Sequence, residues 1–240
     1  MTTVLGAGID TRDMRLIHRV FHREFGRIPG LVRAAAGHQA RTRRVAAHLT
    51  EMLDLLHTHH TGEDLLLWPV LRPRITVQAG LIDRMEAQHD QLAVAITAIR
   101  AGLPGWAGSA DPDAGGRIAA AVEAMAGGLE VHLAEEEEQV LPLVSQVFTQ
   151  PEWDALAEHG FAAIPRRRRL VILGYILEDA APDERARFLR QVPPPARLAF
   201  RLIGQGQHRR ETATLRAQGR PVGGTGRPGQ RMLPEARGRK

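Results

Sequence analysis

Histidine and glutamate recur at helical spacing in two separate stretches of the chain. His59 is followed four residues later by Glu63, and His132 is followed four residues later by Glu136. Because residues at i and i+4 lie on the same face of a helix, each pair can direct an imidazole and a carboxylate toward one point. This mixture of nitrogen and oxygen donors suits iron, manganese or zinc, whereas calcium and magnesium favour all-oxygen sites. The two pairs therefore predict a metal site.

Two further histidines are in phase with apolar helical stripes. His18 lies three residues before Phe21, and His89 lies three residues before Leu92. Apolar residues at spacings of three, four and seven predict a core-facing helix surface. A lone histidine on such a stripe is more often a hydrogen-bonded core residue than a ligand. Four inward imidazoles beside two inward carboxylates are better explained by bound cations, because an unpaired buried carboxylate costs several kcal/mol or stays neutral.

The pattern occurs twice in register. A single histidine precedes the His-x-x-x-Glu pair by 41 residues in the first copy and by 43 residues in the second. In both copies a proline, Pro69 or Pro142, follows the glutamate by six residues. Two matching helix pairs packed about a pseudo-twofold axis would present six ligands to two metals. The predicted ligands are His18, His59, Glu63, His89, His132 and Glu136.

The repeat also separates these residues from rival candidates. His60 and Asp64 have the spacing of a ligand pair, but Leu133 occupies the position of His60 in the second copy. We therefore interpret His60 as structural or exposed. The acidic run 135–138 is typical of a solvated helix face, and only Glu136 in it has the phase to enter the core.

Long helices must position these residues. The periodicity predicts an all-α chain, and no segment resembles a strand. Breaks between the helices are predicted at Gly30, Arg72–Pro73 and Gly102–Gly116. We expect an antiparallel up-down four-helix bundle with a C-terminal helical appendage.

The chain divides into three predicted parts. Residues 10–146 form the bundle, residues 151–216 form an extension of short helices, and residues 217–240 form a basic tail expected to be disordered. The tail contains six basic residues and one acidic residue, so it accounts for the net charge of +5. A nucleic-acid binder would concentrate its basic residues on a structured surface. No nucleic-acid partner is therefore expected.

Composition excludes several kinds of site. The chain contains no cysteine, which excludes disulfides, thiolate metal sites, iron–sulfur clusters and cysteine nucleophiles. No apolar run is long enough to span a bilayer. The N-terminal residues lack the basic region and long apolar stretch of a signal peptide. We expect a cytoplasmic protein that does not enter a membrane.

The pattern of histidines and glutamates resembles the hemerythrin-like family, also called HHE cation-binding domains, over about residues 10–146. The resemblance implies two non-haem irons, joined by two carboxylates and an oxo or hydroxo bridge. It implies that His18, His59, His89 and His132 are terminal ligands. Glu63 and Glu136 would be the bridging carboxylates, and the external ligand would be a small diatomic molecule or peroxide.

The chain departs from the oxygen-carrying members of that family at one position. Those members have a fifth histidine one turn beyond the third-helix ligand, and Ala93 occupies that position here. His22, one turn after His18, could restore a fifth nitrogen from another helix, or a water could fill the gap. The departure argues against reversible oxygen carriage.

The leading hypothesis is a di-iron protein that binds or senses oxygen, nitric oxide or peroxide. Ligation rich in imidazole favours ligand binding over harsh oxidation, so a dedicated enzyme is not the first expectation. A weak peroxidase or oxidase that uses the same site is one alternative. A metal-free helical bundle whose appendage or tail binds a partner is another. The sequence does not indicate the oligomeric state.

Overall fold

A computed structural model describes residues 8–75 and 79–217 of the chain. All regular structure in these residues is helical, with no strand among them, so the predicted all-α class is confirmed. None of the helices in the described ranges is both long enough and apolar enough to cross a bilayer. The α-helices are α1 (Arg12–Ala34), α2 (Gln39–Gly62), α3 (Trp68–Leu71), α4 (Ala79–Ser109), α5 (Pro112–Glu135), α6 (Leu141–Val147), α7 (Gln150–Ala163), α8 (Arg169–Ile176), α9 (Pro182–Gln191), α10 (Pro194–Ala199) and α11 (Gln205–Arg216).

The four long helices contact one another in a cycle. Helix α1 packs against α2 and α5, and α4 packs against the same two helices. Helix α5 begins at Pro112, directly after Asp111, whose carboxylate accepts a hydrogen bond of 2.8 Å from the backbone N–H of Ala114. A capping carboxylate and a proline in the first turn are both favourable at a helix N-terminus. The start of α5 is therefore determined locally by its sequence.

The predicted break at Gly30 is wrong, and the break predicted at Gly102–Gly116 is present but shorter than predicted, because only residues 110–111 separate α4 from α5. Helix α1 continues through Gly30 to Ala34, and α4 continues through Gly102 to Ser109. Ile28 and Val32, on either side of Gly30, are fully buried. Burial of these side chains outweighs the cost of a glycine in a helix, which is about 1 kcal/mol. The predicted break at Arg72–Pro73 is confirmed, because α3 ends just before it.

Buried apolar residues of the long helices form two clusters that are separated along each helix by histidine. The first core cluster contains Phe21 and Leu56, and the second core cluster contains Met14 and Leu67. Helix α1 passes from the second cluster through His18 to the first, and the stretch from α2 to α3 passes from the first to the second. Helix α4 repeats the order of α1, and the stretch from α5 to α6 repeats that of α2. The histidines therefore occupy a polar layer between two apolar cores.

A π-helical turn follows both α2 and α5. The first π turn (Glu63–Leu67) and the second π turn (Glu136–Val140) each begin at a predicted glutamate ligand. Each is followed by a short α-helix with proline in its first turn, Pro69 or Pro142. Proline lacks an N–H group and clashes with the carbonyl four residues earlier, so a wider turn before it relieves the helix. The sequence repeat therefore extends to the backbone.

The C-terminal extension packs directly on the long helices. Helix α7 contacts α2 and the first π turn, α8 contacts α1, and α11 contacts α2 and α8. Tyr175 and Leu215 of the extension belong to the first core cluster. Arg168, just before α8, makes ion pairs of 2.6 Å with Glu51 of α2 and with Glu211 of α11. The extension thus shares its core with the long helices. The proposed division into domains stays a prediction, and the tail beyond residue 217 lies outside the described residues.

Candidate metal centre

All six predicted ligand side chains lie in the polar layer between the two core clusters. Their donor atoms fall into two groups that share one carboxylate, and the donor atoms within each group lie within 4.8 Å of one another. The first donor group consists of His18, His59, Glu63 and Glu136, and the second donor group consists of His60, Glu63, His89 and His132.

Glu63 lies between the two donor groups. Its Oε1 is 3.3 Å from Nε2 of His59, and its Oε2 is 3.4 Å from Nε2 of His89. The first π turn begins at this residue, on the helix that also carries His59 and His60. Each carboxylate oxygen therefore faces a histidine of a different group, as a bridging carboxylate requires.

Glu136 occupies a related position on the other helix pair. Its Oε2 is 3.3 Å from Nε2 of His18 and 3.9 Å from Nε2 of His132. Like Glu63, it is fully buried. The second glutamate therefore also lies between a histidine of the first group and a histidine of the second.

His60 is the donor that the sequence analysis missed. Its imidazole is 5% exposed and stacks on the ring of His89, with ring centroids 4.2 Å apart. His60 is therefore not exposed, and its position beside His89 makes it a candidate donor. Two adjacent histidines on one helix point about 100° apart, so His59 and His60 can serve groups on opposite sides of Glu63. The adjacent pair, three and four residues before a glutamate, was the available signal.

His22 does not join either donor group. It is exposed on α1, although it lies one turn after His18. Ala93 is also exposed, so the helix face on which the family's fifth histidine would lie points to solvent here. The fifth imidazole in this region is that of His60 on α2.

Three of the donor imidazoles are oriented by hydrogen bonds from their Nδ1 atoms. The Nδ1–H of His89 donates to Asp64 Oδ1 over 2.6 Å, and that of His132 donates to Gln88 Oε1 over 2.9 Å. The Nδ1–H of His18 donates to the carboxylate of Glu137 over 2.9 Å. These partners place the proton on Nδ1 and leave Nε2 as a bare lone pair. Outer hydrogen bonds of this kind fix ligand histidines in metal sites.

The residue after Glu63 and the residue after Glu136 each contact the opposite helix pair. Asp64 follows Glu63 and accepts from the histidine of α4, whereas Glu137 follows Glu136 and accepts from the histidine of α1. Glu137 is therefore not merely part of a solvated face, because its carboxylate turns inward to His18. The pseudo-twofold relation that the repeat predicts thus includes these two acidic residues.

The Nε2 atoms of His89 and His132 lie 3.2 Å apart. With Nδ1 protonated on both rings, two lone pairs face each other at this distance. Such a contact is repulsive in the absence of a shared proton or cation. A cation among the second donor group would convert it into ligation.

Several buried donor atoms have no hydrogen-bond partner within the described residues. Both carboxylate oxygens of Glu63 and of Glu136 belong to this set, as do the Nε2 atoms of His18, His59 and His60. Buried polar atoms are almost always paired, and leaving one unpaired costs about 1–3 kcal/mol. Unpaired atoms that converge from separate helices match the donor set of a cation.

The protonation of the centre reflects its burial. Desolvation, reinforced by the neighbouring carboxylate of Glu136, raises the pKa of Glu63 well above its usual value. Burial lowers the pKa of His59 and of His60 well below the usual value, and neighbouring imidazoles add to this effect. Burial, reinforced by the neighbouring imidazoles of His89 and His18, lowers the pKa of His132 to about 3. Neutral imidazoles are the form that binds metals.

Comparison with known proteins agrees with this centre. The family model described as "Hemerythrin HHE cation binding domain" matches residues 10–144, which include every donor of both groups. Neither the curated proteins nor the solved structures include a significant match to the chain.

Proposed function

The chain belongs to the hemerythrin HHE cation-binding domain family, and on that premise we propose that it binds two non-haem irons through the two donor groups. The observation that carries this proposal is the shared, fully buried Glu63, whose two unpaired oxygens face histidines of different groups. Histidine nitrogen combined with carboxylate oxygen is a donor set typical of non-haem iron.

An antiparallel up-down bundle of α1, α2, α4 and α5 would support such a centre. The alternating order in which the long helices pass between the two core clusters is the order expected when successive helices run in opposite directions. Each helix then crosses the polar layer once and contributes at least one imidazole to it. Four packed helices would hold the donors in place, so no long loop would be needed to position them.

The two donor groups are unequal, which supports the binding of an external ligand. The first group contains two imidazoles and the second contains three, because Leu133 takes the place of a counterpart to His60. With Glu63 and Glu136 both bridging, iron in the first group would have four protein ligands and iron in the second group would have five. We expect the protein to bind or sense a small ligand such as oxygen, nitric oxide or peroxide, which would coordinate the iron on the side of the first group.

Metal analysis of the full chain tests the paired centre. We expect about two irons per chain and the near-ultraviolet absorption of an oxo-bridged pair. Glu63→Ala and Glu136→Ala should each abolish that absorption and the paired iron, because each removes a carboxylate that lies between both groups. Circular dichroism should show that helix content is largely retained.

Glu138→Ala is the matched control, because Glu138 lies two residues after Glu136 and is exposed. It should keep both irons and the spectrum. A well-folded preparation that takes up no iron would overturn the proposal. Unchanged iron content and spectra in the Glu63→Ala variant would show that Glu63 does not bridge. An unchanged spectrum after nitric oxide is added to the ferrous protein would argue against the external ligand.

A further inference from the structure

A largely apolar chamber lies between the C-terminal extension and the long helices. It has a volume of about 200 Å³ and is bounded by α1 and α2 on one side and by α7, α8 and α9 on the other. Phe21, Leu156 and Phe188 are among the apolar side chains that line it. Helices α7, α8 and α9 follow residue 144, so much of the chamber wall lies outside the part of the chain that the family model matches.

The chamber reaches the metal centre at His59. The imidazole of His59 forms part of its wall and lies 5.3 Å, between ring centroids, from Phe21. His59 belongs to the first donor group, which has fewer imidazoles. The chamber therefore adjoins the side of the centre that has fewer imidazoles.

Close packing of α7 on α2 closes the chamber next to His59. A Cβ atom on Gly62 would lie 3.0 Å from Cδ2 of His159 and 3.2 Å from Cδ1 of Leu156, both on α7. Because glycine has no Cβ, the two helices can approach at this point. The same approach brings Trp153 and Leu156 over the chamber.

The described lining contains one carboxylate and neither lysine nor arginine. Its carboxylate, that of Asp13, accepts from the indole Nε1–H of Trp153 at 3.3 Å and from the backbone N–H of Met14 at 3.0 Å. The remaining lining is mainly aliphatic and aromatic. A charged ligand would lose its hydration here without gaining an ionic partner, whereas an apolar ligand would lose contact with water.

We propose that this chamber binds a small, uncharged, apolar organic molecule about the size of a substituted benzene, in contact with His59. An apolar cavity of about 150 Å³ is large enough to bind benzene, so the volume here exceeds that needed by a diatomic gas. The chamber shares Leu55, Thr58 and Ile164 with an open surface groove, so the two cavities adjoin. The site does not depend on which metal, if any, the donor groups hold.

Calorimetric titration of the full chain with toluene tests the proposal, in metal-free and in iron-treated protein. We expect saturable binding in both. In the metal-free protein, nuclear Overhauser contacts should join toluene protons to the rings of Phe21 and His59. Toluene binding to metal-free protein can be measured whether or not the chain binds iron, so a failure of the iron proposal would not affect this test.

Two alanines of α7 provide a matched pair of variants. Ala157 lines the chamber, and Ala155 lies two residues away outside the lining, while both are exposed. Ala157→Trp should weaken toluene binding at least tenfold by occupying chamber volume, and Ala155→Trp should leave it unchanged. Leu156→Trp, which fills the chamber from the same helix, should also abolish binding.

Circular dichroism of each variant shows whether it is folded. Absence of binding up to the solubility of toluene would overturn the proposal, and so would equal effects of the two alanine substitutions. Binding without contacts to Phe21 or His59 would place the ligand elsewhere and would also overturn it.

Discussion

At the scale of single residues, His60 makes the two donor groups unequal. Its side chain is buried against His89, and its Nε2 has no hydrogen-bond partner among the described residues. Because His60 belongs to the second donor group alone, His60→Ala should weaken that group and spare the first. We expect iron to fall from about two to about one per chain, measured by metal analysis after dialysis against a weak chelator.

His22→Ala is the control for this change. His22 is a histidine near the same centre but is exposed on α1 and outside both groups. The variant should retain iron at the level of the unaltered chain. If His22→Ala lost one iron and His60→Ala lost none, the fifth nitrogen ligand would come from α1, and His60 would not be a metal ligand.

The residues of the centre were predictable to the extent that they obey helical phase and the internal repeat. The six residues brought together here were predicted because each lies on an apolar stripe. His60 breaks the repeat, since its counterpart is Leu133, and a symmetry argument therefore discards it. Glu137 has the phase of an exposed residue, and only the tertiary structure shows its carboxylate reaching His18 on another helix.

At the scale of elements, the packing of α4 against α5 depends on one glycine. A Cβ atom on Gly115 would lie 2.9 Å from Nε1 of Trp106, whose ring is buried. A Cβ atom on Gly116 would meet no atom within 4 Å. Trp106 therefore packs closely against Gly115, whereas no atom packs against Gly116 at this position.

This difference predicts opposite effects of the same substitution. Gly115→Ala should lower the free energy of unfolding by roughly 1–3 kcal/mol, because the Trp106 ring must shift in a packed core. Gly116→Ala should raise it by roughly 0.5–1 kcal/mol, because alanine favours the helix and loses less chain entropy. Urea unfolding of both variants measures the change. Stabilisation by both substitutions would show that α4 and α5 are less tightly packed than described.

Helix identity was easier to predict than helix ends. The apolar stripes of the four long helices are a local signal that the structure follows. The predicted end at Gly30 was wrong because buried neighbours, such as Ile28 and Val32, hold α1 together through contacts with other helices. The break predicted at Gly102–Gly116 exists, but it is confined to residues 110–111. The π turns were not predicted, although the repeated prolines marked their positions. Each π turn accommodates the proline that follows it and also sets the position of the glutamate at which it begins, and no local sequence pattern expresses these two requirements together.

At the scale of the whole molecule, a buried carboxylate connects the long helices to the extension. Glu24 of α1 is fully buried and accepts hydrogen bonds from Arg23 at 2.7 Å, from His48 of α2 at 3.1 Å and from Arg216 of α11 at 3.0 Å. The ring of Tyr175 on α8 lies tilted against the His48 ring, with centroids 5.6 Å apart. The sequence did not predict this connection, because no local pattern relates residues almost two hundred positions apart.

The pKa of Glu24 gives this connection a pH dependence. Burial alone would raise the pKa, but the hydrogen bonds and charges of His48 and Arg23 outweigh it and lower the pKa to about 2. In the unfolded chain the pKa of a glutamate is about 4.3. Between these values the unfolded chain binds more protons than the folded one, so the free energy of unfolding increases with pH. The contribution of Glu24 is complete above about pH 5 and is lost as the pH falls toward 2.

Replacement of Glu24 by glutamine should remove this contribution. At pH 7, Glu24→Gln should lower the free energy of unfolding by on the order of 2–3 kcal/mol, and the difference from the unaltered chain should shrink as the pH falls from 5 toward 2. Glu130→Gln, at an exposed position on α5, should show no such trend.

Tyr175 is the single tyrosine of the chain, so its second-derivative absorbance reports on the extension while circular dichroism reports on all helices. Because the extension and the long helices share a core and this carboxylate, both signals should change at the same urea concentration at every pH. Separate transitions would mean that Glu24 does not couple the two parts and that the extension unfolds by itself.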